Sequence, residues 1–180
     1  MSPLRNTLTA AAAFMAVGSI AAEAHAQAQA TQNTNSTATI FQPIQLAKNS
    51  DLSFGNIVRP ISGDGTVTID PASGNRTSTG PLAIINTGPN STPGRASYTV
   101  TGEGGQSFSI TVPASFNMTR QNGSETIQVT LSSTAGAGSL SGVLGTTGTA
   151  TFGVGGTIPV TSGTASGAYA GNFVVTVAYN

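Results

Sequence analysis

Apolar and polar residues alternate with a period of two along most of the chain, and clusters of glycine, proline and asparagine cut the alternation into short pieces. A period of two marks strands with one buried face, because successive strand side chains point to opposite sides. Ala38, Ile40, Ile44 and Leu46 share one parity with Pro43 between them, which predicts a first or edge strand. Leu52 and Phe54 predict a second. Val67 and Ile69 alternate with Thr66 and Thr68 behind the Asp64-Gly65 turn signal, and Asp70-Pro71 closes that strand. Residues 82–85 are a short apolar run before the Gly88-Pro89-Asn90 loop.

Tyr98 and Val100 predict a strand that pairs with Phe108, Ile110 and Val112 across the turn 102–105. Phe116 and Met118 lead into Asn122-Gly123, a strong two-residue hairpin signal, with Ile127, Val129 and Leu131 returning. Residues 132–148 read as a long Gly/Ser/Thr loop with a short strand at 140–144. Ala150, Phe152 and Val154 alternate, Gly155-Gly156 predicts a bulge, and Ile158 and Val160 resume the pattern. The last strand places Phe173, Val175, Val177 and Tyr179 on one face, with Asn172, Thr176 and Asn180 on the other. No window carries apolar residues at helical spacing, so short strands at 8–12-residue intervals predict a single all-β, antiparallel Ig-like or pilin-like β-sandwich. A closed barrel is the structural alternative.

The first segment reads as an address rather than as structure. Arg5 supplies a positive start, an Ala-rich apolar run follows, and Ala24-His25-Ala26 and Ala26-Gln27-Ala28 are both A-x-A cleavage sites. The expectation is a signal peptide over 1–26, cut after Ala26 or Ala28. A flexible polar arm follows over 27–36, and the sandwich domain covers 37–180. The apolar run is short for a transmembrane helix, no cysteine follows it to carry a lipid, and no second run approaches spanning length.

Charge narrows the possible partners. Only 7% of residues are charged, against roughly 25% in ordinary soluble domains. Six Lys and Arg balance six Asp and Glu, so no basic field exists to attract nucleic acid. There is no cysteine, and the one histidine, His25, belongs to the leader. A mature chain without His or Cys lacks the parts of a Ser-His-Asp triad, a thiol nucleophile or an ordinary zinc site. Lys48 beside Asn49-Ser50-Asp51 reads as a solvated turn. The carboxylates Asp51, Asp64, Asp70, Glu103 and Glu125 fall at turns and strand ends, with neither calcium-loop spacing nor a recognisable glycosidase pair. The glycine-rich stretches 102–105 and 153–156 carry no Gly-Lys-Ser/Thr and read as turns or bulges. Tyr98, Tyr169 and Tyr179 match the parity of their apolar neighbours, which assigns them to the core before a sugar-binding face. No catalytic residue, metal site or cofactor is expected.

Five segments carry a resemblance. Leu52-Ser53-Phe54-Gly55-Asn56-Ile57, Gly65-Thr66-Val67-Thr68-Ile69, Tyr98-Thr99-Val100-Thr101-Gly102-Glu103, Val154-Gly155-Gly156-Thr157-Ile158 and the stretch from Gly167 to Tyr179 resemble, in order, the bacterial domain-of-unknown-function family numbered 4402. The resemblance implies a small secreted protein with one all-β domain, and it implies no activity. The C-terminus also resembles the last strand of chaperone–usher pilins. Tyr179 is penultimate, Val177, Val175 and Phe173 alternate before it, and Gly167 is fourteenth from the end. That likeness implies an assembly strand made of Gly167, Phe173, Val175, Val177 and Tyr179. A donor strand would come from Ala38, Ile40, Ile44 and Leu46, which serve equally as the domain's own first strand. The pilins' usual disulfide is absent.

The expected function is therefore a non-enzymatic secreted or cell-surface structural protein, a fimbria- or pilus-like subunit that assembles by strand addition, with itself or a periplasmic chaperone as partner. The alternative is a monomeric secreted adhesin or carbohydrate-binding module, suggested by the uncharged hydroxyl- and amide-rich surface.

Overall fold

The structure, a computed structural model, describes residues 29–180. The expected leader and its cleavage sites lie outside the described residues. Residues 29–38 carry no strand and are exposed, and the folded unit spans Thr39–Asn180. Among the described residues there is no helix, and every strand pairing is antiparallel.

The spine is β11 (Thr147–Thr161), a strand of 15 residues. Its first half pairs with β6 (Ala96–Glu103), and its second half pairs with β3 (Asp64–Ile69). On the opposite edge, β9 (Thr126–Ser133) covers Val154 to Thr157. The sheet continues outward through β1 (Gln45–Ser50) beyond β6 and β4 (Arg76–Thr79) beyond β3. Beyond β9 come β8 (Ser115–Arg120) and then β12 (Tyr169–Ala170). The change of partner from β6 to β3 falls at Gly155, between Val154 on Ala96 and Gly156 on Ile69. A Cβ on Gly155 would sit 2.7 Å from the Pro71 nitrogen and 3.0 Å from the Asp70 carbonyl carbon. Only a residue without a side chain lets the end of β3 lie this close.

The second layer comes in two pieces. In the larger, β7 (Ser107–Thr111) lies between β10 (Ala137–Ser139) and β13 (Thr176–Tyr179). The smaller is the pair β2 (Asn56–Val58) and β5 (Ala83–Ile85). Each piece closes its own core. Phe108, Ile110 and Leu140 pack on Tyr98, Val100, Phe152 and Val154, while Phe54 joins Val67, Ile69, Val129, Ile158 and Val160 in the second cluster. Leu52 and Leu131 touch both clusters. The arrangement is a β-sandwich, and its sheets do not close into the alternative barrel.

The alternation reads correctly for β3, β6 and β9, and the loop carrying Asn122-Gly123 does join β8 to β9, but as four residues between the bonded Arg120 and Glu125 rather than two: the Gly123 amide donates to the Arg120 carbonyl at 3.2 Å, and Asn122 takes a φ of 62° at the third position of that turn. Five elements differ from expectation. β6 and β7 do not pair as a hairpin; they belong to opposite layers, and 103–106 is a corner between them, held by the buried Glu103. The first strand begins at Gln45, beyond Pro43, which has no N–H to offer a ladder. The strand expected at 140–144 lies at Ala137–Ser139 instead, and 141–146 is a turn. β11 runs through Gly155-Gly156 as one unbroken strand that changes partners there, with no bulge. In the last strand, only Thr176 to Tyr179 join a ladder.

Candidate functional site

Two ends of the sandwich differ in how completely they are closed. At the end where β11 begins, the termini of the folded unit are clamped together. The Tyr179 hydroxyl accepts a hydrogen bond from the Glu103 amide at 2.7 Å and donates one to the Gln42 carbonyl at 2.9 Å. The Glu103 carboxylate, with the residue only 2% exposed, accepts from the Gln42 amide at 3.1 Å and from the Gly145 amide. Gln42 also receives the Thr147 hydroxyl on its side-chain oxygen. A buried carboxylate is costly unless its oxygens find donors, and here backbone amides from two separate loops supply them. The turn 141–146 is thereby held rigid, with Val143 and Leu144 displayed to solvent. Phe41 packs edge-on against Tyr179 with ring centroids 6.1 Å apart.

At the other end the second core is buried but bordered by a surface slot. A slot of about 470 Å³ runs between β2 with its flanks and the loop 164–169. Phe54, Ile57, Met118, Ile127, Ile158 and Val160 line it together with the polar Ser53, Asn56, Arg59, Asn90, Thr164 and Ser166. Arg59 donates to the Thr164 carbonyl at 2.9 Å and closes one end. No residue of β5 lines the slot, and β5 is the one ladder partner of β2. Met118, Ile127, Ile158 and Val160 come from three adjacent strands, β8, β9 and β11, and β2 with its flanks and the loop 164–169 make the walls.

The outer face of the large sheet is a third feature. Thr77, Thr68, Thr157, Thr130 and Ser115 form one row across five adjacent strands, β4, β3, β11, β9 and β8. The Thr68 and Thr157 hydroxyls are 2.9 Å apart, and those of Thr66 and Thr79 are 2.8 Å apart.

The titratable groups serve local structure. Asp70 is held below the usual carboxylate value chiefly by the Ser73 amide and then the Ser73 hydroxyl, an Asx turn that ends β3. Glu125 is also lowered, chiefly by its two hydrogen bonds from the Arg120 guanidinium. Burial is the first cause raising the Tyr98 phenol, whose ring stacks on Phe152. Among the described residues, no three Asp, Glu, His or Cys side chains come together as a metal cluster.

The residues singled out from sequence divide between these features. Val177 and Tyr179 lie in β13 and, with Phe173 and Val175, face the domain's own interior. Phe173 packs on Phe116 with centroids 5.1 Å apart. Their side chains are thus already spent on the core, and what β13 leaves free is a backbone edge. Gly167 lies apart from that strand, in the wall of the slot. The N-terminal set also splits: Ile44 and Leu46 pack on the first core, while Ala38 and Ile40 are exposed, Ile40 by 89%. Glu103 and the slot were not singled out. A lone carboxylate between glycines was the available signal for Glu103; the slot joins residues too distant in sequence to leave one.

A family model described as Domain of unknown function (DUF4402) matches residues 44–179. Neither the curated proteins nor the solved structures contain a match. The matched stretch runs from the first residue packed in the core to the tyrosine that clamps Gln42, so the whole sandwich is covered, and the chain belongs to the DUF4402 family.

Proposed function

We propose that this protein is a non-enzymatic, exported structural subunit that joins others at the cell surface, in the manner of a fimbrial subunit, by addition of a strand to an incomplete sandwich. The observation that carries this reading is the slot, where side chains of three adjacent strands, β8, β9 and β11, meet the short strand β2, which has β5 as its one ladder partner. Unpaired strand edges are templates for another strand, and natural proteins normally shield them with charge, proline or bulges. β2 has none of these within its three residues, Asn56 to Val58. Main-chain hydrogen bonds give such additions their affinity, and side-chain pockets give them selectivity. The absence of histidine and cysteine downstream of 28 supports the non-enzymatic part. The A-x-A sites support export, with a periplasmic chaperone as a transient occupant of the slot. The test is electron microscopy of the exported protein with gel electrophoresis before and after boiling. Filaments and boiling-sensitive multimers are the expected result; a monomer at every concentration refutes the reading.

A second reading is favoured by the hydroxyl rows on the outer sheet face. It makes the protein a secreted adhesin or carbohydrate-binding module, since neutral glycans are met by hydroxyl and amide groups rather than by charge. Binding on a glycan array by a protein that stays monomeric would select it over the first.

A further inference from the structure

We infer that the outer face of the large sheet binds an acidic polysaccharide, with the carboxylate of one uronic acid unit on Arg95 and the chain running on over the threonines of β6 and β11. The site deepens the second reading, on which it rests, and is independent of strand addition.

A glycine and an arginine shape the site. Thr151 lies opposite Thr99 and Gly153 opposite Ser97 in the β6–β11 ladder, on the face turned away from Val100, Phe152 and Val154. A Cβ on Gly153 would lie 2.9 Å from the Arg95 Cδ and 3.1 Å from its Nη1, so the missing side chain is what lets the arginine lie against the sheet. Nη1 donates to the carbonyls of Pro71, at 2.8 Å, and of Ala72. Arg95 thereby borders a cleft of about 410 Å³, whose other polar lining residues are Asn49, Ser97, Thr134 and Thr151. That volume falls within the roughly 300–1,000 Å³ of small-molecule sites.

The arginine selects a carboxylate. A guanidinium stays charged in proteins, and Arg95 has no ionic partner: the ion pairs among the described residues are Lys48–Asp51 and Arg120–Glu125. The Asp70 carboxylate, on the adjoining turn, is taken up by the Ala72 and Ser73 amides and the Ser73 hydroxyl. With Nη1 held by carbonyls, Nε and Nη2 remain, the pair of parallel donors that fits a carboxylate.

The surroundings select a sugar polymer. Asn49 and Thr151 are exposed in the cleft, and the Asn49 side-chain nitrogen donates to the Thr99 hydroxyl at 2.9 Å. Beyond them Thr149 continues the row on β11, opposite Thr101 on β6, and Gln45 of β1 lies opposite Thr101 on its other side. These groups are uncharged and recur about every 6.6 Å along a strand and about 4.8 Å between strands. An extended polyhydroxylated chain therefore meets repeated donors and acceptors with no further charge to desolvate.

The test is calorimetric titration of the exported protein with trigalacturonate and with trimannuronate, each beside its methyl ester, which keeps the hydroxyls and loses the charge. At least one acid should bind, and its ester should bind about tenfold more weakly, the worth of a hydrogen bond to a charged group. Arg95→Gln should bind acid and ester alike. Thr151→Val, at an exposed position, should weaken both without moving the thermal midpoint, and it keeps the site testable if Arg95→Gln loosens the turn 70–75. Acid and ester bound equally by the wild type overturn the carboxylate assignment. If a glycan array gives binding but neither acid binds, or neither variant changes the binding, the cleft fails while the carbohydrate reading survives. A wild type silent toward every glycan ends both.

Discussion

Gly155→Ala adds one methyl group where the fold has no room for it. The new Cβ would lie 2.7 Å from the Pro71 nitrogen and 3.0 Å from the Asp70 carbonyl carbon, and closer still to the Ile69 carbonyl oxygen. All three are main-chain atoms, so no rotamer change relieves the contact. Nor can the segment drift away. The Asp70 amide donates to Asn75 at 3.0 Å, the Gly74 amide donates to Asp70 at 2.8 Å, and the Asp70 carboxylate holds the Ser73 amide. Ile69 itself is fully buried and paired with Gly156. Overpacking of this kind costs about 1–3 kcal/mol and occasionally more. Backbone on every side puts this site at the upper end. The smaller entropy of an unfolded alanine returns about 0.4–1 kcal/mol.

The net expectation is a loss of about 2–3 kcal/mol, which at about 2–4 °C per kcal/mol lowers the melting midpoint by about 5–10 °C. Gly136→Ala is the matched control, since nothing lies within 4 Å of its Cβ position and its φ is not positive. It should be neutral or slightly stabilising. Urea unfolding followed by circular dichroism measures both, with an unchanged slope identifying a true stability difference. A Gly155→Ala protein within 0.5 kcal/mol of wild type, a margin usual for exposed sites, would refute the claim that β11 changes partners there because it lacks a side chain.

Three further outcomes follow from named contacts. Tyr179→Phe removes the hydroxyl bridging Glu103 and Gln42, and should cost about 1–3 kcal/mol in the same urea assay. Phe108→Ala, at a ring 1% exposed and laid against Gly138, should cost about 3–5 kcal/mol, leaving little folded protein at 37 °C by circular dichroism. Glu125, held below 4.5 chiefly by Arg120, gives stability that is fully present above that value and lost as pH falls through its folded value; urea midpoints taken from pH 6 to pH 3 should therefore fall less steeply in Glu125→Gln than in wild type.

Local signals were legible wherever local physics decided the outcome. The Val67–Ile69 alternation became β3 because a half-buried strand needs no more than that pattern. Asn122-Gly123 marked the hairpin because the turn there needs one residue at positive φ, which Asn122 tolerates as few residues do. What the pattern left open was which strand lies beside which. A glycine-rich link of four residues between two alternating runs fits a hairpin and an inter-layer corner equally well. Here Glu103, carried into the corner and bonded by Gln42 and Gly145, makes it a corner, and both partners are far away in sequence. β10, with Gly138 at its centre, shows no alternation because a glycine must face the Phe108 ring. The slot was illegible for a stronger reason: its walls come from residues 52–59, 118, 127, 158–160 and 164–169, which only the tertiary fold brings together.

The two ends of the sandwich differ because the chain comes back to one as a strand and to the other as a loop. The C-terminal strand returns to the start of β11, where Tyr179 packs on the first core and its hydroxyl joins Gln42 to Glu103. Beyond the end of β11, residues 162–168 loop past the flank of β2, where Arg59 donates to the Thr164 carbonyl, and reach β12 at the sheet edge. Phe54, Ile158 and Val160 are buried there all the same, so the second core is closed by side chains and a loop where the first is closed by a hydrogen-bonded strand.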